Sequence, residues 1–231
     1  MDYRNIIHQL KQEFFSGWKA FEVVWLFLFV VIQIVFYIRE PDSIVGMIAG
    51  ISGIICNVFI TKGKISNYFF GLIFAYSYFY VTLGANFLGE MNTTLYVYIP
   101  AQFIGYFLWK QNMQKTDGDS EAVIVKALTV KGWTGLLAFV IVGTFLFVQA
   151  LNAAGGSSTG LDGLTTIIVV AAQALMLLRY REQWLLWIVL NILSILLWAE
   201  NPAMYVMYSA YLLNSLYGYY NWTKLQKSVE A

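Results

Sequence analysis

The chain has 231 residues, 59% of them hydrophobic and 12% charged, whereas a soluble domain carries roughly 25% charged and 45–50% apolar residues. This composition excludes an ordinary soluble domain and predicts an integral membrane protein. The formal net charge of +1 points to neither nucleic acid nor an acidic partner.

Near the N-terminus, Ile6, Ile7, Leu10, Phe14 and Trp18 fall close to one helical face, with Lys11, Gln12 and Lys19 elsewhere. That pattern predicts a helix lying on the membrane surface. No short apolar region with a small-residue cleavage site precedes the first long apolar run, so this segment is expected to stay in the mature protein. Stretches of predominantly apolar residues long enough to span a bilayer run at approximately 20–38, 43–61, 66–84, 92–110, 133–151, 162–179, 183–199 and 203–222. The connections are short except 111–131, a candidate linker containing QKTDGDSE, and Asn152–Gly163, NAAGGSSTGLDG. Cys56, the only cysteine, lies inside an apolar run, cannot form an intrachain disulfide, and is expected to be a packing residue.

Eight spans assign each basic residue to a side. Of 14 Lys and Arg residues, only Arg39 falls opposite the rest, so the positive-inside rule places both termini in the cytoplasm. Asn92-Thr93-Thr94 and Asn221-Trp222-Thr223 match the glycosylation sequon, a pattern too short to carry weight.

The two ends of the chain correspond. Asn57, then Lys62-Gly63-Lys64, then Asn67-Tyr68 precede a span ending with Gln102, Gly105, Tyr106 and Trp109. Likewise Gln173, then Arg179-Tyr180-Arg181, then Gln183-Trp184 precede one ending with Ser215, Gly218, Tyr219 and Trp222. This organisation predicts an N-terminal segment with an extra span (1–42), a first three-helix repeat (43–110), a linker with a connecting span (111–161), a second repeat (162–222) and a cytoplasmic tail (223–231). Three spans plus one restore the original direction, so the repeats are expected to be parallel. Transporters built this way bind substrate near the midplane, between the repeats.

All 13 acidic residues sit in loops, tails or at span ends, which argues against proton coupling through a mid-membrane carboxylate. No phosphate-cradling glycine loop, HExxH or His/Cys cluster occurs, and the single histidine, His8, precedes the first span. ATP-driven transport, a resident metal or cofactor, and intramembrane catalysis are therefore not expected. What remains is neutral and aromatic. Trp184, Trp187, Asn191, Ser194 and Trp198 are spaced to share one helical face, as are Tyr211, Asn214 and Gly218. Gln173 and Asn57 add amides at comparable depth. A buried amide without a partner costs roughly 1–3 kcal/mol, so each requires a neighbouring helix or a polar ligand, and Asn191 shares its face with tryptophans that packing does not demand. Trp109, Trp222, Trp184 and Trp198 also suit an interfacial belt, whereas Trp187 lies deeper. A tryptophan face beside amides suits a planar, cationic heteroaromatic.

The motif W-x-x-W-x-x-x-N at Trp184, Trp187 and Asn191, the last span YSAYLLNSLYGYYNW and the three-plus-one-plus-three arrangement resemble the PnuC family of bacterial vitamin transporters over about residues 43–222, in its nicotinamide riboside branch. The resemblance implies an all-α membrane fold of eight transmembrane helices: an N-terminal extra helix plus a core like a full-length SWEET sugar transporter. It also implies homotrimers in the inner membrane, facilitated diffusion, and trapping of the vitamin by a cytosolic kinase. The family core has seven spans, and the first span is an addition to it. For such a substrate the expected binding residues are Trp184, Trp187 and Asn191, then Gln173, Asn214, Tyr211 and Asn57, with Gln102 and Tyr80 after them. A transporter of riboflavin or thiamine, a SWEET-like sugar transporter, and a membrane scaffold packed through Gly46, Gly50 and Gly53 are the alternatives.

Overall fold

Backbone N–H and C=O groups in hydrocarbon have no water to bond, so a membrane chain must satisfy them internally. The computed structural model describes residues 11, 13–14, 16–39, 43–84, 88–115, 121–153, 160–197 and 202–230, and they are mostly helical. The helices are α1 (Ala20–Arg39), α2 (Ile44–Thr61), α3 (Asn67–Gly84), α4 (Leu88–Thr93), α5 (Ile99–Lys110), α6 (Val130–Ala153), α7 (Gly160–Leu177), α8 (Gln183–Leu197) and α9 (Pro202–Glu230). Among the described residues three helices, α1, α2 and α6, are long and apolar enough to cross a membrane by themselves. The stretch expected as one helix at 92–110 is broken by a π-helical turn, Thr94–Tyr98, in which Ile99 N–H donates to Thr94 O. Pro100, at the start of α5, has no N–H to donate, and its ring would clash with the preceding turn. The wider turn relieves both conflicts.

The chain forms two compact units, Met1–Ile124 and Val125–Ala231. In the first, α2 packs on α1 and α3, and α3 packs on α5. Two glycines of α2 permit close approach. A Cβ on Gly50 would lie 2.5 Å from Gln33 Nε2, and one on Gly53 would lie 2.9 Å from the Phe74 ring. The spacing read as a packing seam is thus used inside this unit, and Cys56 is buried as expected.

The membrane-surface face expected near the N-terminus is turned, in part, against protein. Phe14 and Trp18 pack edge-on to Phe59, at 5.7 and 5.6 Å between ring centroids, while Ile6, Ile7 and Leu10 lie outside the described residues. Glu13 Oε1 accepts from Ser66 N–H at 2.8 Å. The Lys62 ammonium, at the end of α2, pairs with the buried carboxylate of Glu22. It also donates to Gly17 O at 2.7 Å and sits 4.7 Å from the centre of the Trp18 ring. Burial pulls the Lys62 pKa below the ordinary lysine value, against the opposing pull of Glu22.

The segment read as a linker contains a hairpin. Strand β1 (Met113–Lys115) pairs antiparallel with β2 (Glu121–Val123), Met113 opposite Val123. Val123 N–H donates to Gly63 O at 2.9 Å, tying the hairpin to the loop between α2 and α3. Ala122 and Val123 are buried, an apolar pair that explains why this polar segment folds back rather than extending.

In the second unit α6 packs on α7, α7 on α8 and α8 on α9. Helix α6 has no buried residue; apolar around its circumference, it is suited to lipid. Lys126 N–H donates to Arg179 O and Arg181 N–H to Lys126 O, at 2.8 and 3.0 Å, so the chain before α6 is bridged to the α7–α8 loop.

The loops between α2 and α3 and between α7 and α8 close in the same way. Gly63 N–H donates to Ile60 O, Lys64 N–H to Phe59 O and Asn67 N–H to Lys64 O; Arg179 N–H donates to Met176 O, Tyr180 N–H to Leu175 O and Gln183 N–H to Tyr180 O. Both loops place one residue in the left-handed region, Gly63 at φ 67° and Arg179 at φ 68°. Backbone geometry therefore registers Gly63 with Arg179, whereas matching the basic residues had set it against Tyr180.

Candidate functional site

The loop before α8 fixes where that helix begins. Glu182, buried, accepts from Leu128 N–H and from Arg181 Nε, each at 3.0 Å. Arg181 reaches α9, donating to Gln226 Oε1 at 3.3 Å and lying 6.0 Å from the Tyr219 ring. These bonds anchor the start of α8 to its neighbours, and the residues that follow are held in register with α9.

Along that contact the predicted face divides. Trp184 is 1% exposed and packs into α9. Its ring lies edge-on to Trp222 at 6.0 Å and 84°, and a Cβ on Gly218 would come within 2.6 Å of it. Gly218 is needed for that close approach. About two turns further along, the Asn191 side chain donates to Ser215 Oγ at 3.1 Å. Trp187 is half-buried. Trp198 lies outside the described residues.

The remaining predicted residues of this unit sit on the helices flanking α8. Gln173, on α7, is buried with its Nε2 3.8 Å from Met176 Sδ, a weak partner. On α9, Asn214 is buried, and Tyr211 is half-buried with its ring 6.4 Å from that of Tyr208. Helical spacing places Tyr211, Ser215, Gly218 and Trp222 on one face of α9, the face that meets α8 through Ser215, Gly218 and Trp222.

In the first unit, Gln102 on α5 donates to Tyr98 O at 3.2 Å, and its buried Oε1 has no partner among the described residues. Its amide lies over Gly71 of α3, where a Cβ would come within 2.2 Å of Oε1. Asn57 is half-buried on α2. Tyr80 is 64% exposed on α3, and the structure does not bring it to the other predicted residues of this unit.

Two of the proposed belt tryptophans are enclosed instead. Trp109 and Trp222 are both 0% exposed; Trp109 is edge-on to Tyr68 at 5.2 Å and 85°, as Trp222 is to Trp184. Edge-to-face pairing adds roughly 0.5–1.5 kcal/mol to simple burial, which favours these rings inside the unit over a place at the lipid surface.

Sequence reasoning missed Gln183. It is 0% exposed, and among the described residues neither of its side-chain amide atoms has a hydrogen-bond partner; the same holds for Trp184 Nε1. The signal was available in the spacing, since Gln183, Trp187 and Asn191 follow at steps of four along one ridge of α8.

Comparison with known proteins places these features in context. Residues 43–224 match the family model described as nicotinamide mononucleotide transporter. The chain is 75% identical over 219 residues to the nicotinamide riboside transporter PnuC of Haemophilus influenzae, covering 95% of this chain and 96% of that one. It is 46% identical over 226 residues to the protein of the same name from Neisseria mucosa, covering 94% and 86%. A crystal structure of the vitamin B3 transporter PnuC superposes with a TM-score of 0.86 at 45% identity, over 96% of this chain and 98% of that one.

Proposed function

The chain belongs to the nicotinamide mononucleotide transporter family, and from that membership we propose that it takes up nicotinamide riboside across the bacterial inner membrane. The observation that carries this reading is the 75% identity, along nearly the whole chain, to a relative named for that substrate. The chemistry of the side chains supports it. Nicotinamide riboside presents a cationic pyridinium, a carboxamide and ribose hydroxyls. Trp187, half-buried, offers an aromatic face to the first, and Asn191, Gln173, Asn214, Tyr211, Asn57 and Gln102 offer neutral hydrogen-bonding groups to the others.

The riboside is favoured over the mononucleotide because residues 44–61, 67–84, 160–177 and 183–197 contain no Lys, Arg or His. A phosphate entering among them would be desolvated without a countercharge. Transport is facilitated diffusion in this reading: no acidic side chain is available at mid-span to carry a coupled proton, and a cytosolic kinase supplies direction by phosphorylating the vitamin. The chain crosses the membrane eight times with both termini in the cytoplasm. An extra span (1–42) precedes parallel repeats at 43–110 and 162–222, joined through 111–161 as in a full-length SWEET arrangement, and the protein assembles as a homotrimer. The matching hydrogen bonds around Gly63 and Arg179 and the paired Tyr68–Trp109 and Trp184–Trp222 contacts support the repeat.

Calorimetric titration of the purified protein with nicotinamide riboside, nicotinamide mononucleotide, riboflavin, thiamine and glucose tests the substrate. Binding of the riboside alone is expected; no heat with the riboside would overturn the reading. In proteoliposomes, uptake unaffected by a protonophore is the result expected of facilitated diffusion.

A further inference from the structure

We propose that Gln183, together with the indole N–H of Trp184, is the part of the site that recognises the primary carboxamide of the substrate; this rests on the nicotinamide riboside reading. Gln183 opens α8 and shares a ridge with Trp187 and Asn191. Its amide oxygen, its amide nitrogen and the neighbouring Trp184 Nε1 are buried without partners among the described residues. Both residues are more than nine-tenths buried, at 0% and 1% exposure. Folded chains rarely leave buried polar atoms unmatched, because each such atom has given up its water.

The first unit supplies the contrast. Asn67 opens α3 as Gln183 opens α8; its Nδ2 donates to Lys64 O at 2.7 Å, a local cap, while its Oδ1 is buried without a partner among the described residues. The corresponding acceptor for Gln183 is Tyr180 O, which takes the Gln183 backbone N–H at 3.2 Å and receives nothing from the longer side chain. The same position thus makes one local bond in the first unit and none in the second.

The unmet groups define their complement. Gln183 Nε2 and Trp184 Nε1 are donors, and Gln183 Oε1 is an acceptor. A primary carboxamide answers all three, its carbonyl oxygen accepting from both donors and its N–H donating to Oε1. A carboxylate could accept but has no proton for Oε1, and it brings a charge that must be desolvated. This set of two donors and one acceptor therefore favours the amide over the acid form of the pyridine ring.

The test compares nicotinamide riboside with nicotinic acid riboside by calorimetry on the full-length detergent-purified protein. Wild type is expected to bind the amide at least about tenfold more tightly than the acid. Gln183→Leu should weaken the amide by about tenfold and bring the ratio close to one, with an unfolding temperature equal to or above that of wild type because the unmatched buried amide is gone. Trp184→Phe, which removes the indole N–H donor together with part of the packed ring, should narrow the ratio in the same direction by a few-fold, and it carries the test should Gln183→Leu not fold. An unchanged amide-to-acid ratio in the folded variants overturns the assignment. Failure of wild type to bind nicotinamide riboside at all would instead overturn the reading beneath it, and the two failures are distinguished by the protein in which they occur.

Discussion

The two units solve one packing problem with the same parts and then use their amides differently. Each begins a helix with a buried amide followed by an aromatic ring, Asn67-Tyr68 on α3 and Gln183-Trp184 on α8, and each lays that ring edge-on to a tryptophan, Trp109 or Trp222. In the first unit Asn67 caps its own loop and Gln102 lies over Gly71. In the second Trp184 takes the glycine contact, at Gly218, and Gln183 is left with neither amide atom bonded among the described residues. Buried amide atoms without a partner among the described residues occur in both units, Asn67 Oδ1 and Gln102 Oε1 in the first and both Gln183 amide atoms in the second; of these three side chains Gln183 alone makes no bond at either atom.

The comparison can be broken most forcefully at the tryptophans. Trp222→Ala and Trp109→Ala should each cost about 3–5 kcal/mol by leaving a large cavity, read by denaturant or thermal unfolding of the purified protein. A markedly smaller loss in one unit would mean that its pair is not a packing element. Gly218→Ala comes next, at about 1–3 kcal/mol, since its Cβ would press on the rigid Trp184 ring at 2.6 Å. Gly71→Ala should cost less, because the Gln102 amide it meets can turn aside; equal losses would erase the distinction between the glycine contacts. The smallest effects belong to the loops. Gly63→Arg should destabilise by about 1 kcal/mol through its left-handed backbone, whereas Arg179→Gly should leave stability within about 0.5 kcal/mol, backbone relief offsetting the greater freedom of the unfolded chain. A large loss in the second variant would show that the Arg179 side chain, not the turn, matters.

Much of this was legible in the sequence for a physical reason. The ranges of the long helices follow from unbroken hydropathy, and the face carrying Trp187 and Asn191 follows from helical spacing. The enclosed tryptophans were not legible, because a tryptophan near the end of an apolar run suits an interfacial belt equally well, and only the rings packed against Trp109 and Trp222, Tyr68 and Trp184, decide the matter. Nor was the hairpin at 113–123, whose polar tip conceals the buried Ala122 and Val123. Pro100 could be read as a helix start, but the π-helical turn before it depends on the chain continuing as helix on both sides. Gln183 was passed over because it sits at the boundary of a span, where a polar residue is unremarkable until its burial is known.

Trp187 offers the most direct test that the α8 face binds the substrate. It is half-buried, and its neighbours on the helix, Trp184 and Asn191, are the ones engaged with α9. Titrating nicotinamide riboside into Trp187→Leu protein of wild-type unfolding temperature should reveal a loss of affinity of about thirtyfold, the equivalent of the roughly 2 kcal/mol that a desolvated cation gains over a tryptophan face. Affinity within twofold of wild type would contradict the account.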